Sequence, residues 1–191
     1  MKKITLLLFV FFSFSYSQNL TVESGGTLTI EKTGAVTVSG NFSNSGTVTM
    51  NSDADEFSSI KISGTTSGNV TYNRFVNYAA SGEWDLIGSP VDGLSISSFV
   101  STNTSGTATL ATNGSAYAVG YYDNSTDTWT NYTTETVGGA GNFDIGKGYQ
   151  MGTVSGGTQI LAFTGTISSS DETQSIINNN AANSGSGRRW N

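Results

Sequence analysis

The sequence predicts an all-β protein, with a short β-solenoid-like repeat at the N-terminus followed by an antiparallel, jelly-roll-like β-sandwich. Two observations lead to this prediction. Short β-branched and aromatic runs alternate with Gly, Ser, Thr and Asn throughout the chain, a pattern typical of strands separated by turns. Between Leu20 and Met50, a Thr flanked by two apolar residues recurs four times. Such a triplet places its apolar side chains on one face of a strand and the Thr on the other.

The repeat region extends over residues 18–68. The first three triplets are eight residues apart and the fourth follows after twelve. Each strand is too short to bury its apolar face alone, so we predict a stack of short strands, a small β-solenoid or solenoid-like meander. Gly and Asn between the triplets tolerate the left-handed backbone that tight corners need. The triplets are Leu20–Val22, Leu28–Ile30, Val36–Val38 and Val48–Met50.

Residues 69–191 form the predicted sandwich, in which the strands lengthen and aromatic residues become frequent. The polar turn after Tyr122 predicts a hairpin with the next strand. Residues 94–100 fit either a short helix or a strand, and a core shared with the repeat region is compatible with the pattern. The predicted strands are Val70–Val76, Glu83–Ile87, Ala116–Tyr122, Thr128–Tyr132, Gly148–Val154 and Gln159–Thr166.

Composition excludes several chemistries. The chain has no Cys and no His, so it has no disulfide, no thiolate nucleophile, no Ser-His-Asp arrangement and no His-ligated metal. Its formal net charge is −6 with only eight Lys and Arg. An acidic chain without a basic stripe is not expected to bind nucleic acid.

Residues 1–17 have the pattern of a secretory signal peptide. A basic Met1–Lys3 segment precedes an apolar run from Ile4 to Phe14, and small residues precede Gln18. The alternative is an N-terminal membrane anchor, but the apolar run is short for a bilayer span. We therefore expect a mature chain that begins at Gln18, carries no membrane span and is secreted or held on the outer cell surface.

Three segments carry a family resemblance. They are the Leu20–Met50 repeat, the Gly82–Val91 segment with its Trp-x-Leu-Ile-Gly-Ser-Pro strand, and the Gly-Lys-Gly-Tyr strand at Ile145–Met151. The chain resembles secreted and surface proteins of the Bacteroidota that are exported by type IX secretion. Arg188–Asn191 is similar to the start of a further segment of those proteins, which normally end in a C-terminal sorting domain. The resemblance implies an N-terminal fragment that lacks this domain and whose sandwich is incomplete, and it implies no activity.

Two acidic turns are candidate calcium sites, because hard cations bind clustered oxygen ligands. One holds Asp53, Asp55 and Glu56, and the other is bracketed by Asp123 and Asp127. Neither has EF-hand spacing, and solvated turn residues are the alternative. We expect no other cofactor.

Glu83 and Asp85 flank Trp84 on one predicted strand. Paired carboxylates could indicate a glycosidase, but such an enzyme holds its pair across a cleft. We expect the two acids to face water beside a core Trp84, and we predict that the protein is not an enzyme.

Aromatic residues on the predicted hairpin suggest a binding face. Flat rings beside Asn and Asp can stack on the apolar faces of sugars, and Tyr122, Trp129 and Tyr132 are the candidate ligand-binding residues. The alternative is ordinary sandwich core. We therefore expect a non-catalytic structural or adhesion protein whose partner is an extracellular glycan or a surface protein. The alternative function is a carbohydrate-binding module of a larger extracellular protein.

Overall fold

The structure is a computed structural model that describes residues 18–79, 84–105, 109–123, 126 and 128–175. The predicted signal peptide and the C-terminal tail lie outside these ranges. Strands dominate the described residues, which confirms the all-β class. Within the same ranges, no helix has both the length and the apolar character that crossing a bilayer requires.

The N-terminal third of the chain consists of short strands joined by tight corners. Each of the first five strands pairs in parallel with the strand three places further along the sequence, so that consecutive strands belong to different sheets. Parallel neighbours require a long connection, and here two intervening strands supply it. The strands are β1 (Leu20–Val22), β2 (Thr27–Ile30), β3 (Ala35–Val38), β4 (Phe42–Asn44), β5 (Thr47–Asn51), β6 (Ser59–Ile62), β7 (Thr66–Ser67) and β8 (Val70–Phe75).

The register shows that the parallel partner of a strand is the third strand after it in the sequence, rather than the next. Leu20 lies opposite Phe42 and Ala35 lies opposite Ser59. The eight-residue spacing seen in the sequence is therefore the distance between corners, and it does not identify which strands are neighbours. Two corners carry Gly at a positive φ that Gly adopts readily, Gly25 with φ +80° and Gly68 with φ +82°, and the corner between β2 and β3 carries Thr33 with φ +143°.

The predicted faces of the triplets are confirmed. Thr21, Thr29 and Thr37 are exposed, whereas the last apolar residue of each of the first three triplets is buried. The first apolar residue of each, such as Leu28, is only partly buried. This difference arises because β1, β2 and β3 are the outermost strands of their sheets.

Asparagines at the corners form hydrogen-bonded ladders. The Asn41 N–H donates to Asn19 Oδ1 (2.8 Å), and the Thr65 N–H donates to Asn41 Oδ1 (2.9 Å). None of the described Asn residues has a positive φ. The corner asparagines therefore tie parallel neighbouring strands together through their side chains, and Gly25, Thr33 and Gly68 have the positive φ angles.

The rest of the described chain is mainly antiparallel and contains one α-helix, α1 (Ile96–Asn103), and a short 3-10 helix (Val137–Gly139). Residues 94–100, for which the sequence allowed a helix or a strand, thus contribute to a helix. Ser95 caps this helix by accepting the Ser98 N–H (3.1 Å). The strands are β9 (Asp85–Ile87), β10 (Thr112–Asn113), β11 (Ala116–Asp123), β12 (Thr128–Thr133), β13 (Tyr149–Met151) and β14 (Ile160–Gly165). One sheet has the order β10-β11-β13-β9, with β12 paired to β11.

Strand β8 joins the parallel and antiparallel parts. It pairs in parallel with β5 on one side and antiparallel with β14 on the other. Buried residues from both parts form a single hydrophobic cluster. At its centre Phe163 of β14 packs against Phe99 of α1, with ring centroids 4.7 Å apart. The core therefore continues through the predicted boundary near residue 69.

Candidate functional site

The hairpin of β11 and β12 presents two different aromatic faces. Tyr122 lies opposite Trp129 in the register, and their rings meet edge to face at 5.2 Å. Tyr122 is 9% exposed and Trp129 is 41% exposed. The Tyr122–Trp129 pair thus has one buried ring that supports one ring open to solvent.

Tyr132 lies on the opposite face of the hairpin. It packs against Tyr121, with ring centroids 5.5 Å apart and planes inclined at 45°. Alternate strand residues point to opposite faces, and Trp129 and Tyr132 are separated by an odd number of positions. The structure therefore brings together Tyr122 and Trp129 but not all three predicted ligand-binding residues.

Tyr132 belongs to a cleft of about 310 Å³, which we call the tyrosine cleft. One wall is the hairpin face that carries Tyr121 and Tyr132. The rest of the lining comes from the loop before β13 together with Tyr149, the first residue of that strand. The residues lining the tyrosine cleft are Tyr121, Tyr132, Ala140, Asn142, Asp144, Lys147 and Tyr149.

Lys147 is the cation of the tyrosine cleft. Its Nζ lies 5.5 Å from the ring centroids of both Tyr121 and Tyr149, a cation–π arrangement. It also lies 3.4 Å from Asp144 Oδ2. The cleft therefore contains one positive and one negative side chain, whose charges compensate each other.

Burial holds Tyr132 and Tyr149 of the cleft in the neutral form. The Asp144 N–H donates to Tyr149 Oη (3.0 Å). Burial raises the pKa of Tyr149 above its usual range, and burial together with the neighbouring Tyr149, Tyr121 and Asp144 raises that of Tyr132. Because both phenols keep their protons at neutral pH, each hydroxyl can donate a hydrogen bond as well as accept one.

A second cleft, of about 390 Å³, lies beside the first strand of the hairpin. Its aromatic residues are Trp84 and Tyr117, and its amides are Asn113 and Asn131. Trp84 is partly buried against the core.

The acidic turn at Asp53 is organised by a lysine. Asp53 forms an ion pair with Lys32, and its Oδ1 accepts the N–H groups of Asp55 (3.1 Å) and Glu56 (2.9 Å). The Lys32 ammonium, aided by those N–H groups, lowers the pKa of Asp53. Glu56 lies 3.4 Å from the same ammonium. Both carboxylates therefore contact a cation that the protein itself supplies.

Calcium binding stays a prediction. Across the described ranges, no three acidic side chains come close enough to hold a metal ion together. Asp123 ends β11, and its carbonyl oxygen accepts the Thr126 N–H (3.3 Å). Asp127 lies outside the described residues.

Asp85 differs from its predicted role. Its two carboxylate oxygens accept the backbone N–H and the side-chain Nδ2–H of Asn77, each at 2.9 Å. Asp85 therefore fixes the segment that follows β8 instead of facing water. Glu83 lies outside the described residues, so the proposed pairing of the two acids has no described geometry.

The sequence did not predict that Asn142, Asp144 and Lys147 line a cleft. They lie on one loop, and their position depends on Phe143, which is 3% exposed and packs edge to face on Phe99 (5.2 Å) and Tyr149 (4.9 Å). The available signal was the alternation of polar residues with an aromatic residue before the β13 strand. That pattern indicates a loop anchored by one ring, but not the surface that it faces.

Comparison with known proteins identifies no relative. No protein-family model matches the chain, no curated protein matches it, and no solved structure matches its fold. A functional assignment for this protein must therefore come from its own residues and geometry.

Proposed function

We propose that this chain is a non-catalytic secreted or cell-surface protein that serves as a structural or adhesive scaffold. In this proposal residues 18–68 form a β-solenoid-like stack that passes into an antiparallel, jelly-roll-like sandwich. The lineage is that of the type IX-exported surface proteins of the Bacteroidota.

The observation that carries the proposal is the continuity of the core at β8. The backbone hydrogen bonds of this strand join parallel neighbours on one side to an antiparallel neighbour on the other. Val70 and Tyr72 of β8 belong to the same buried cluster as Phe163. A force applied to one part would therefore be transmitted to the other through a hydrogen-bonded sheet rather than a flexible linker.

Two features of the sequence agree with a scaffold outside the cell. The signal-like N-terminus implies export, and the lack of Cys means that sheet pairing and burial must supply the stability that disulfides give many secreted proteins. The lack of His removes the commonest general base and metal ligand.

The test is the position and processing of the full chain in cells. We would express it with a C-terminal tag in a Bacteroidota host and determine its N-terminus by mass spectrometry. The proposal predicts a chain that begins at Gln18 and is recovered outside the cytoplasm. A chain that keeps Met1 and is recovered only with the cytoplasmic proteins would contradict it.

The second candidate function is carbohydrate binding, and the tyrosine cleft favours it. Tyr121 and Tyr132 supply apolar ring surface, and Asn142 and Asp144 supply exposed polar groups beside it. Small-ligand sites usually combine an aromatic wall with a small number of precisely placed polar groups. A glycan array with the purified chain tests this function, and binding to no glycan would remove it.

A further inference from the structure

We propose that the tyrosine cleft binds one neutral saccharide unit, stacked on Tyr121 and Tyr132 and hydrogen-bonded by Asn142 and Asp144. This inference rests on the second candidate function, carbohydrate binding, and names its site and its ligand class. It moves the ligand from the Trp129 face of the hairpin, which the sequence suggested, to the opposite face.

The two stacking rings have a suitable geometry. Their centroids are 5.5 Å apart and their planes are inclined at 45°, so they form an angled wall. Both tyrosines are partly buried, which fixes the rings while leaving some ring surface accessible. The C–H groups on one face of a pyranose ring pack well on such a surface, and the neighbouring hydroxyls remain available for hydrogen bonds.

The polar side of the cleft is held in place before a ligand arrives. Leu94 fixes the loop by accepting the Phe143 N–H (3.0 Å), and Gly141 by accepting the Ile96 N–H (2.9 Å). The Asp144 N–H is bonded to Tyr149 Oη. Asn142 and Asp144 are nevertheless exposed. A rigid loop with accessible polar side chains loses little conformational entropy on binding, which favours even a small ligand.

Charge favours a neutral sugar over an acidic one. Lys147 could attract a carboxylate, but its ammonium already lies 3.4 Å from Asp144 Oδ2. The Asp144 side chain is 60% exposed and that of Lys147 only 29%. An incoming anion would therefore meet the carboxylate more readily than the ammonium, and it would also approach a chain with a net charge of −6. Both effects discriminate against uronic acids.

Volume limits the ligand to a single unit. The cleft holds about 310 Å³, which is at the lower end of the roughly 300–1,000 Å³ typical of small-ligand sites. The site accommodates one sugar ring, either free or at the end of a glycan, and it does not provide a groove for several consecutive rings.

The test is saturation-transfer NMR on the full chain with D-glucose, D-galactose, D-mannose, N-acetylglucosamine and sodium glucuronate as probes. We expect signal transfer to at least one neutral sugar and weaker transfer to glucuronate. Tyr132→Ala should raise the Kd about tenfold, the loss that corresponds to one stacked ring. Trp129→Ala is the matched control, since it removes a ring of the same strand from the opposite face, and it should change the Kd by less than about twofold.

Asn142→Ala is the second variant, because its exposed side chain can be removed without disturbing the core. It should weaken binding while leaving the thermal unfolding temperature unchanged. If Trp129→Ala abolishes binding while Tyr132→Ala and Asn142→Ala do not, the cleft assignment is overturned and carbohydrate binding survives. A preference for glucuronate would overturn the ligand class. A wild-type chain that binds none of the neutral sugars would overturn the whole inference.

Discussion

Phe163→Ala is the substitution that should damage the shared core most clearly. Phe163 is 0% exposed, lies opposite Tyr72 of β8 and contacts the ring of Phe99. Its ring centroid also lies 6.1 Å from that of Phe143. Truncating a fully buried Phe to Ala costs about 3–5 kcal/mol, and three rigid elements surround this site. We therefore expect a loss of about 4 kcal/mol in the free energy of unfolding.

Urea denaturation followed by tryptophan fluorescence and circular dichroism measures this loss. With an m-value of about 2 kcal/mol/M, the midpoint should fall by about 2 M. Phe57→Ala is the control, because Phe57 is 46% exposed and its main ring contact is the Arg74 guanidinium at 4.2 Å; loss of this cation–π contact should cost no more than about 1 kcal/mol. A loss below about 1 kcal/mol for Phe163→Ala, or equal losses for the two variants, would refute a core that is packed through the junction.

Three further predictions follow from local geometry. Gly68→Ala should prevent or strongly weaken folding, because the backbone has φ +82° and an added Cβ would overlap the Asn44 carbonyl oxygen. Soluble yield and circular dichroism measure the loss of folded protein, and a variant as stable as wild type would contradict the corner geometry. Because burial raises the pKa values of Tyr132 and Tyr149 above the ordinary value of about 10, the unfolded chain releases phenol protons that the folded chain retains. Stability should therefore be complete below about pH 10 and should fall as the pH rises further; urea midpoints at several alkaline pH values test this, and a constant midpoint would contradict it. Ca²⁺ should not stabilise the Asp53 turn, because Lys32 already pairs with Asp53. A rise in unfolding temperature that EDTA reverses and that Asp53→Asn abolishes would show that calcium binds there.

The sequence allowed the faces of the N-terminal strands to be predicted but not their partners. A Thr between two apolar residues determines which side chains are buried, since the side-chain period of a strand is two. It does not determine which strands are neighbours, because every triplet looks alike. The spacing of the corner residues indicates the strand partners more directly. Asn19, Asn41 and Thr65 hydrogen-bond in a ladder at intervals that match the pairing period.

The hairpin was predicted correctly, whereas the ligand-binding role of Tyr122, Trp129 and Tyr132 stays a prediction. Its strands follow from the alternation around the polar turn, and β11 and β12 pair as expected. The same alternation places Trp129 and Tyr132 on opposite faces, so the sequence already contained the reason that they cannot act together. Asp144 and Lys147 could not be assigned to the Tyr132 face from the sequence, since a buried ring at Phe143 positions their loop through tertiary packing.

Differential scanning calorimetry of a chain that comprises residues 18–191 tests the central claim most directly. If the parallel strands and the antiparallel strands share one core, they should unfold together in a single transition with calorimetric and van't Hoff enthalpies in a ratio of about one. Two separate transitions, with only the later one sensitive to Phe163→Ala, would show that the two parts fold independently.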